Sequence, residues 1–374
     1  FDALRNETRM SYDAQGHVTA SRDPLGNASA FEFDALGAMT KTVDPLGRST
    51  FMSRDAMGRI TRGVDPAGKG ADFEYDAMGN MTRVKDALNG VTNFAYQPGR
   101  TNKLLQSLTD AKNQATSFGY DVTGRQTSVT NALNQNSSVV YDMRGNPTKV
   151  TTKNGQTITL AYDNLNRLTQ MTLPEGGVSF GYDAVGNPTS ASRYNGTALA
   201  MTYDGLNRVT QEVQTLPNGH QVTLGQAFDA NGNRTTLTTP WGTFSYGYDA
   251  LNRMTRVSNP QGLTVTFAYD GADRRTKRTY PNGAETTYAY DAAGQVAQIM
   301  HRKVSDNALI AFDDYVYDAA GNRISITDAA GTHAFGYDDR HRLVGATHPN
   351  SSSLPVKNET FSYDAVDNRL NDAV

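Results

Sequence analysis

The sequence predicts an all-β fold, built as a repetitive array of β-hairpins that pair into a long antiparallel sheet. Three observations predict it. A motif of the type Tyr-Asp-x-x-Gly-Asn recurs, as at Tyr75, Tyr182 and Tyr317, mostly at steps of about 21 residues. Short runs rich in β-branched residues separate the copies, and Gly, Asn, Asp and Pro stand where the chain has to turn.

The repeat runs along the whole chain. Position 1 of each copy is an aromatic residue, found at Phe1, Tyr12, Phe33, Tyr75, Tyr96, Tyr120, Tyr141, Tyr162, Tyr182, Tyr203, Phe228, Tyr248, Tyr269, Tyr290, Tyr317, Tyr337 and Tyr363. Arg54 holds the same position without a ring, which makes 18 copies. We therefore expect residues 1–374 to form a single array of 17 to 18 repeats. The chain opens and ends inside the pattern, which predicts a fragment of a longer protein.

Positions 2 and 5 predict a turn in every copy. Position 2 is Asp in 17 of the 18 copies, with Gln97 as the exception, and an Asp there can accept N–H bonds from the residues just ahead. Position 5 is Gly ten times, Asn three times and Asp twice. These residue types enter the left-handed backbone region most readily, so position 5 should have positive φ throughout.

Two strands and a second turn complete each repeat. Ile60–Val64 is typical of the strand that follows the first turn, and Val265–Tyr269 alternates its faces like a half-buried strand. Between the two strands lies a mid-repeat turn, written as Asp-Pro-x-Gly from Asp23, Asp44 and Asp65 or as Asn-Gly elsewhere. Each repeat is then one hairpin, and we expect the motif aromatics of neighbouring repeats to pair across strands.

Composition excludes several classes of protein. Hydrophobic residues make up 37% of the chain, which is low for a large globular core. The net charge of −3 does not indicate the basic surface of a nucleic-acid-binding protein. No apolar run approaches 18 residues, so we expect no membrane span, and no signal peptide opens the chain. The absence of cysteine rules out disulfides, thiol catalysis and thiolate metal sites.

The sequence offers few candidates for chemistry. The histidines closest to a cluster are His341 and His348, but their spacing is not that of a metal site. The Asp-x-x-Gly-Asn stretches resemble a calcium loop faintly, and turn capping explains them better. Trp241 could stack on a sugar, although a packed turn aromatic is the favoured interpretation. We therefore expect no catalytic, cofactor-binding or metal-binding residue, no cofactor, and no enzyme activity.

The longer steps of the array run from 24 to 27 residues, and two of them carry insertions of interest. The step that contains the insertion near 301–314 is the widest irregularity, and the insertion near 349–358 carries a polar stretch, Pro349–Pro355, long enough to project from the sheet as a loop. Insertions in repeat proteins map to loops and often to a functional face. Neutral drift at exposed turns is the simpler explanation for each.

The motif resembles that of the YD-repeat (Rhs) family. The consensus Tyr-Asp-x-x-Gly-Asn/Arg-x-Thr, then Asp-Pro-x-Gly, then Thr-x-Phe/Tyr, matches essentially all 374 residues at the expected period. The resemblance implies a long curved sheet that spirals into a hollow shell or part of one. Such shells occur in bacterial Rhs toxins, in the C components of insecticidal toxin complexes and in animal teneurins.

The resemblance also implies a role. In the bacterial members the shell encloses a C-terminal toxin, which a self-cleaving aspartyl protease element near a Pro…Asp-Pro-x-Gly-Leu motif releases. The Asp-Pro-x-Gly stretches at Asp23, Asp44 and Asp65 lack the following Leu and lie in the ordinary mid-repeat position. We therefore carry no catalytic Asp over to this chain.

Two functions remain open from the sequence. The leading one is a non-enzymatic shell segment of a secreted or secretion-delivered Rhs-type toxin. Its partners would be a C-terminal toxin cargo, the rest of the shell, and components of a secretion system or toxin complex. The alternative is a cell-surface adhesin or carbohydrate-binding module. Neither reading involves nucleic acid.

Overall fold

The described strands all belong to one antiparallel sheet. A computed structural model describes residues 1–99, 104–349 and 358–373, and within these ranges it has 34 strands and no helix. Consecutive strands pair antiparallel, so each repeat contributes one hairpin. The predicted all-β hairpin array is confirmed. The part of the chain that the structure describes contains no helix long and apolar enough to cross a membrane.

The strands are short and evenly spaced. The first seventeen are β1 Arg9–Tyr12, β2 Val18–Arg22, β3 Ala28–Phe33, β4 Met39–Val43, β5 Ser49–Arg54, β6 Ile60–Val64, β7 Gly70–Tyr75, β8 Met81–Lys85, β9 Val91–Tyr96, β10 Leu105–Thr109, β11 Ala115–Tyr120, β12 Gln126–Thr130, β13 Asn136–Tyr141, β14 Pro147–Thr151, β15 Thr157–Tyr162, β16 Leu168–Leu173 and β17 Gly176–Tyr182. The others are β18 Pro188–Arg193, β19 Ala198–Tyr203, β20 Val209–Thr215, β21 Gln221–Phe228, β22 Arg234–Thr239, β23 Gly242–Tyr248, β24 Met254–Ser258, β25 Thr264–Tyr269, β26 Arg275–Thr279, β27 Ala284–Tyr290, β28 Val296–Lys303, β29 Leu309–Tyr317, β30 Arg323–Asp328, β31 Gly331–Tyr337, β32 Leu343–Thr347, β33 Glu359–Tyr363 and β34 Arg369–Ala373.

The sheet is a single layer without a thick core. Ala346, at 2% exposure, is the one fully buried hydrophobic side chain among the described residues. Along β25, Val265, Phe267 and Tyr269 are half-buried on one face, while Thr266 and Ala268 are exposed on the other. This alternation confirms the pattern predicted for the strand, and it means that side chains pack mainly against their neighbours in the sheet.

A β-bulge follows the Tyr-Asp turn, which spans positions 1 to 7, in the described hairpins. In β3 and β4, Phe33 pairs with Met39 and Glu32 pairs with Lys41, so Thr40 between them has no partner in the ladder. The hydroxyl of Thr40 donates to the carbonyl of Glu32 at 3.3 Å. The same register shift recurs from β1–β2 to β33–β34, which explains why position 8 of the consensus is Thr.

The insertion near 301–314 lengthens two strands of the sheet. β28 runs for 8 residues and β29 for 9, with Arg302 paired to Leu309 across a short turn. The expectation that insertions map to loops is therefore wrong at this step, because the extra residues pair with the neighbouring strand and extend the ladder. Most of the second insertion, at 350–357, lies outside the described residues.

The described residues group into two compact units. Unit 1 contains residues 1–94, 109–113 and 265–374, and unit 2 contains residues 95–108 and 114–264. Within unit 1, turns from the first repeats lie against turns from the last repeats.

Candidate functional site: a ladder of hairpin turns

One carboxylate organises each Tyr-Asp turn. In the Tyr75 repeat, Oδ1 of Asp76 accepts the backbone N–H groups of Met78 at 2.9 Å and Asn80 at 2.8 Å. The backbone closes the turn, since Gly79 donates to the carbonyl of Asp76 at 3.0 Å. Position 2 therefore caps the turn from within its own repeat, as the sequence predicts. The hydrogen bonds from these N–H groups are those of a capped turn.

Position 5 has positive φ in all 17 copies that the structure describes there. Gly79 has a φ of 83° and Asn166 a φ of 61°. Arg5 and His341 adopt the same conformation at 65° and 60°, which is uncommon for Arg and more frequent for His. The prediction is confirmed for these copies, and Arg100 lies outside the described residues.

The second carboxylate oxygen binds the side chain at position 6. Arg167 donates from Nε to Oδ2 of Asp163 at 2.7 Å, and Asn80 donates from Nδ2 to Oδ2 of Asp76 at 2.8 Å. The backbone and side-chain hydrogen bonds from Arg167 hold the pKa of Asp163 below its ordinary value. Those from the amide of Asn80 and its backbone N–H do the same for the pKa of Asp76. These carboxylates are kept ionised as caps.

Motif tyrosines join each repeat to the one before it. The hydroxyl of Tyr141 donates to the carbonyl of Gln126 at 2.8 Å. Gln126 opens β12, and the ladder between β12 and β13 ends at Ser128, so the tyrosine binds an acceptor beyond the ladder. Ten tyrosines bind the first residue of the preceding post-turn strand in this way: Tyr75, Tyr120, Tyr141, Tyr182, Tyr203, Tyr248, Tyr290, Tyr317, Tyr337 and Tyr363.

Arginine at position 6 joins its repeat to the one after it. Arg167 donates from Nη1 to the backbone carbonyl of Asp183 at 2.9 Å, and its guanidinium lies 4.8 Å from the ring centre of Tyr182. The same pair of contacts recurs at Arg59, Arg125, Arg208, Arg274 and Arg342. A cation on a ring is worth roughly 0.5 to 1 kcal/mol at exposed sites and about 2 kcal/mol when desolvated, and these partly exposed arginines lie between the two. We call this contact pair the arginine link.

Asparagine at position 6 makes a different connection. Nδ2 of Asn187 donates to Oδ1 of Asn207, the positive-φ residue of the next repeat, at 2.9 Å. Asn146 binds Asn166 and Asn233 binds Asn252 in the same way. Glycine at position 5 could not accept this bond. Gly-Asn and Asn-Arg copies alternate from the Tyr141 repeat to the Tyr248 repeat. Asparagine links and arginine links therefore follow each other in this part of the array.

The expected ring-on-ring pairs are not the contact that recurs between repeats. Motif rings of successive repeats are two strands apart, about 9.6 Å at the usual strand spacing, whereas ring pairs need centroids within about 7 Å. The side chain at position 6 fills the gap. His17 takes this role in one copy, stacking 4.8 Å from Phe33 while it binds Asp13. The signal for these links was present in the consensus, at the Asn/Arg position.

The structure separates the two histidines that the sequence placed closest. His348 lies beside His333, with their Nδ1 atoms 2.6 Å apart, and His341 binds Asp65 instead. The described ranges contain no group of three or more His, Asp or Glu side chains able to hold a metal ion. His301 binds the hydroxyl of the buried Thr286. These histidines act as hydrogen-bonding partners of the sheet and its turns.

Trp241 differs from the favoured expectation. Its side chain is 79% exposed, so the packed turn aromatic is wrong. The mid-repeat turn is only two residues long. Gly242, which follows the turn, lies against Pro260 of the next repeat and not against the indole ring. Tyr194, in another mid-repeat turn, is 60% exposed.

These turns and the single-layer sheet define a β-hairpin repeat protein whose polar groups couple one repeat to the next. The RHS repeat family model matches residues 12–50, 54–91, 101–135, 141–178, 182–221, 228–264, 248–285 and 317–353. The chain belongs to the RHS repeat family, which confirms the resemblance. No curated protein matches it in sequence.

Solved structures of toxin complexes share the fold. A TcdB2-TccC3-TEV crystal structure matches with a TM-score of 0.81 and 16% identity, over 96% of this chain and 23% of that one. The Photorhabdus luminescens Tc holotoxin pore with a mutated TccC3 matches at 0.80, with the same identity and coverage. TcdB2-TccC3 without its hypervariable C-terminal region also matches at 0.80, at 16% identity and over the same shares of both chains. This chain thus spans about a quarter of the length of the chains it resembles.

Proposed function

We propose that residues 1–374 are one repeat array that serves as a non-enzymatic wall segment of an Rhs-type toxin. The wall would enclose and protect a C-terminal toxin domain before delivery. The observation that carries the proposal is the continuous single-layer sheet, in which Tyr-Asp turns are capped internally and coupled to their neighbours. A sheet one layer thick can separate an enclosed volume from the surrounding solvent with few residues per unit area. The likeness to TcdB2-TccC3 structures supports the same role.

The proposal assigns partners outside this chain. They are the toxin cargo, the remaining shell, and components of a toxin complex or secretion system, and the protein would be secreted or delivered. The turn carboxylates support the non-enzymatic assignment, since they accept bonds from the position 6 side chain and from the turn itself.

The test uses the complete reading frame around this segment. The purified product is analysed under native and denaturing conditions, with limited proteolysis under both. A small C-terminal fragment that is cut yet co-purifies and resists protease until the wall is denatured supports enclosure. A single uncut species with nothing retained, and equal protease sensitivity in both conditions, contradicts it.

The exposure of Trp241 and Tyr194 favours one second candidate, carbohydrate binding by an adhesin. Exposed aromatic rings at turns can stack on sugars. Glycan-array binding that is lost in Trp241→Ala and kept in the matched variant Leu206→Ala, which changes an exposed apolar side chain in a Tyr-Asp turn, would move this function to first place. No binding by the wild-type chain would remove it.

A further inference from the structure

The Tyr-Asp turn of the Tyr337 repeat is chemically unlike the others. Positions 3 to 5 are Asp339, Arg340 and His341, where most copies carry two largely apolar residues followed by Gly or Asn. All three side chains reach turns of the first repeats in unit 1. We refer to Asp339, Arg340 and His341 as the charged turn.

Each residue of the charged turn has a polar partner some 250 to 280 residues earlier in the chain. Oδ1 of Asp339 lies 2.7 Å from Nζ of Lys69, and Nη1 of Arg340 lies 3.4 Å from Oδ2 of Asp86. Nε2 of His341 lies 2.6 Å from Oδ2 of Asp65. The partners belong to two successive mid-repeat turns, so the charged turn spans both.

His341 connects this contact to the coupling ladder. Its Nδ1 lies 2.9 Å from Nδ2 of Asn322, and the same Nδ2 donates to Oδ2 of Asp318 at 2.8 Å. Because an amide nitrogen only donates, Nδ1 of His341 must accept, and Nε2 must carry the proton that is given to Asp65. His341 therefore replaces the asparagine of an ordinary asparagine link and adds a second hydrogen bond from its other nitrogen.

Neighbouring turns extend the same line of contacts within unit 1. Arg48 donates to Oε1 of Gln295 at 2.9 Å, and Lys112 lies 3.1 Å from Oδ2 of Asp364. Asp367 holds Arg340 in place through its carboxylate, at 2.6 Å. The contacts named here all use side chains that are partly exposed to water.

We propose that the charged turn is a reversible latch that holds the last repeats of unit 1 against the first. Opening it breaks side-chain contacts between turns and leaves the backbone ladders of both sets of hairpins intact. Exposed ion pairs are each worth little and are screened by salt. The latch is therefore weak enough to open without unfolding, and this holds whether or not the chain encloses a cargo.

The latch can be tested on this chain with a pair of spin labels, because the protein has no cysteine of its own. Leu88→Cys and Leu370→Cys place labels on exposed positions of an early turn and a late strand. Lys69→Glu breaks the pair with Asp339, and Lys69→Glu with Asp339→Lys restores it in reverse. His341→Asn keeps the positive φ and the acceptor for Asn322, and loses the bond to Asp65.

We expect one narrow label-to-label distance in the parent. The open fraction should rise roughly two- to fivefold in Lys69→Glu and in His341→Asn, rise further in 1 M salt, and return towards the parent in the charge swap. Arg62→Glu is the matched control, since it breaks the exposed Arg62–Asp72 pair inside one hairpin. Circular dichroism checks that every variant retains its strands.

Two results would overturn the latch. One is a distance distribution in Lys69→Glu and His341→Asn that equals that of Arg62→Glu at every salt concentration. The other is a charge swap that stays as open as the single variant, which would mean that Lys69 and Asp339 do not act as a pair.

Discussion

The guanidinium of Arg54 donates from Nε to the carbonyl oxygen of Met39 at 3.3 Å. Met39 opens β4, and the equivalent carbonyl accepts a tyrosine hydroxyl in ten other repeats, as Ile60 does from Tyr75. Arg54 thus makes the bond of the residue it replaces. What the repeat requires at position 1 is a donor that reaches the preceding repeat as much as an aromatic ring.

Replacing Arg54 tests this requirement. Arg54→Ala should lower the free energy of unfolding by about 1 kcal/mol, because the Met39 carbonyl loses its donor. Arg54→Tyr should restore the bond and equal or exceed the parent. Urea unfolding followed by circular dichroism measures both. Equal stability of the alanine and tyrosine variants would show that the donor has no effect.

Removing a tyrosine hydroxyl should uncouple one repeat. Tyr182→Phe deletes the bond to the carbonyl of Leu168 and should cost about 1 kcal/mol. Phe228→Tyr is the matched control, because it offers a hydroxyl where the parent has none and should be neutral or stabilising. Hydrogen exchange at β16 and β18 localises the change. Protection that falls evenly along the array would contradict a local link.

The two kinds of link should be exchangeable. Arg167→Asn keeps a donor for Asp163 but loses the Asp183 carbonyl and the Tyr182 ring, and should cost about 1 to 2 kcal/mol. Adding Gly186→Asn supplies an acceptor in the next repeat, as Asn207 does for Asn187, and should recover part of that loss.

Gly186→Asn alone serves as the control for this exchange. The new Asn tolerates positive φ but faces no asparagine donor. Gly186→Asn should therefore raise the free energy of unfolding less in the parent than it does beside Arg167→Asn. A double-mutant cycle in urea gives the coupling energy between the two sites. A coupling energy of zero would show that the two asparagines do not stabilise each other.

Acid should unfold the array through its turn caps. The pKa of Asp76 and that of Asp163 are lowered in the folded chain by the hydrogen bonds to Asn80 and Arg167. Such groups stabilise the fold fully above the ordinary Asp pKa of about 3.9, and lose that contribution as pH falls through their lowered values. Circular dichroism from pH 7 to pH 2 should therefore show stability falling below about pH 4.

Asp163→Asn provides the control for the pH dependence. Asn131 and Asn259 already cap mid-repeat turns through Oδ1, so the turn can still form. The variant should be less stable at pH 7 and should depend less steeply on pH below 4. If the stability of the variant falls with pH in parallel with that of the parent, Asp163 does not contribute to the loss of stability in acid.

The sequence determined the features that lie within one repeat. The Asp cap, the positive φ at position 5, the hairpin and the alternation along β25 all depend on residues that lie within about one repeat length of each other. Their chemistry is local, so composition at fixed positions was sufficient to predict them. Arg5 and His341 also have positive φ, although position 5 is Gly, Asn or Asp in most copies.

Tertiary structure decided which repeats touch and how. The tyrosine bond to the preceding strand, the guanidinium over the ring of the next repeat and the strand-lengthening insertion at 301–314 depend on pairing register, which a single repeat does not specify. The contact between His341 and Asp65 joins residues 276 positions apart, and the path of the intervening sheet brings them together. A local motif fixes each turn, whereas the small offsets summed over many strands decide where distant turns meet.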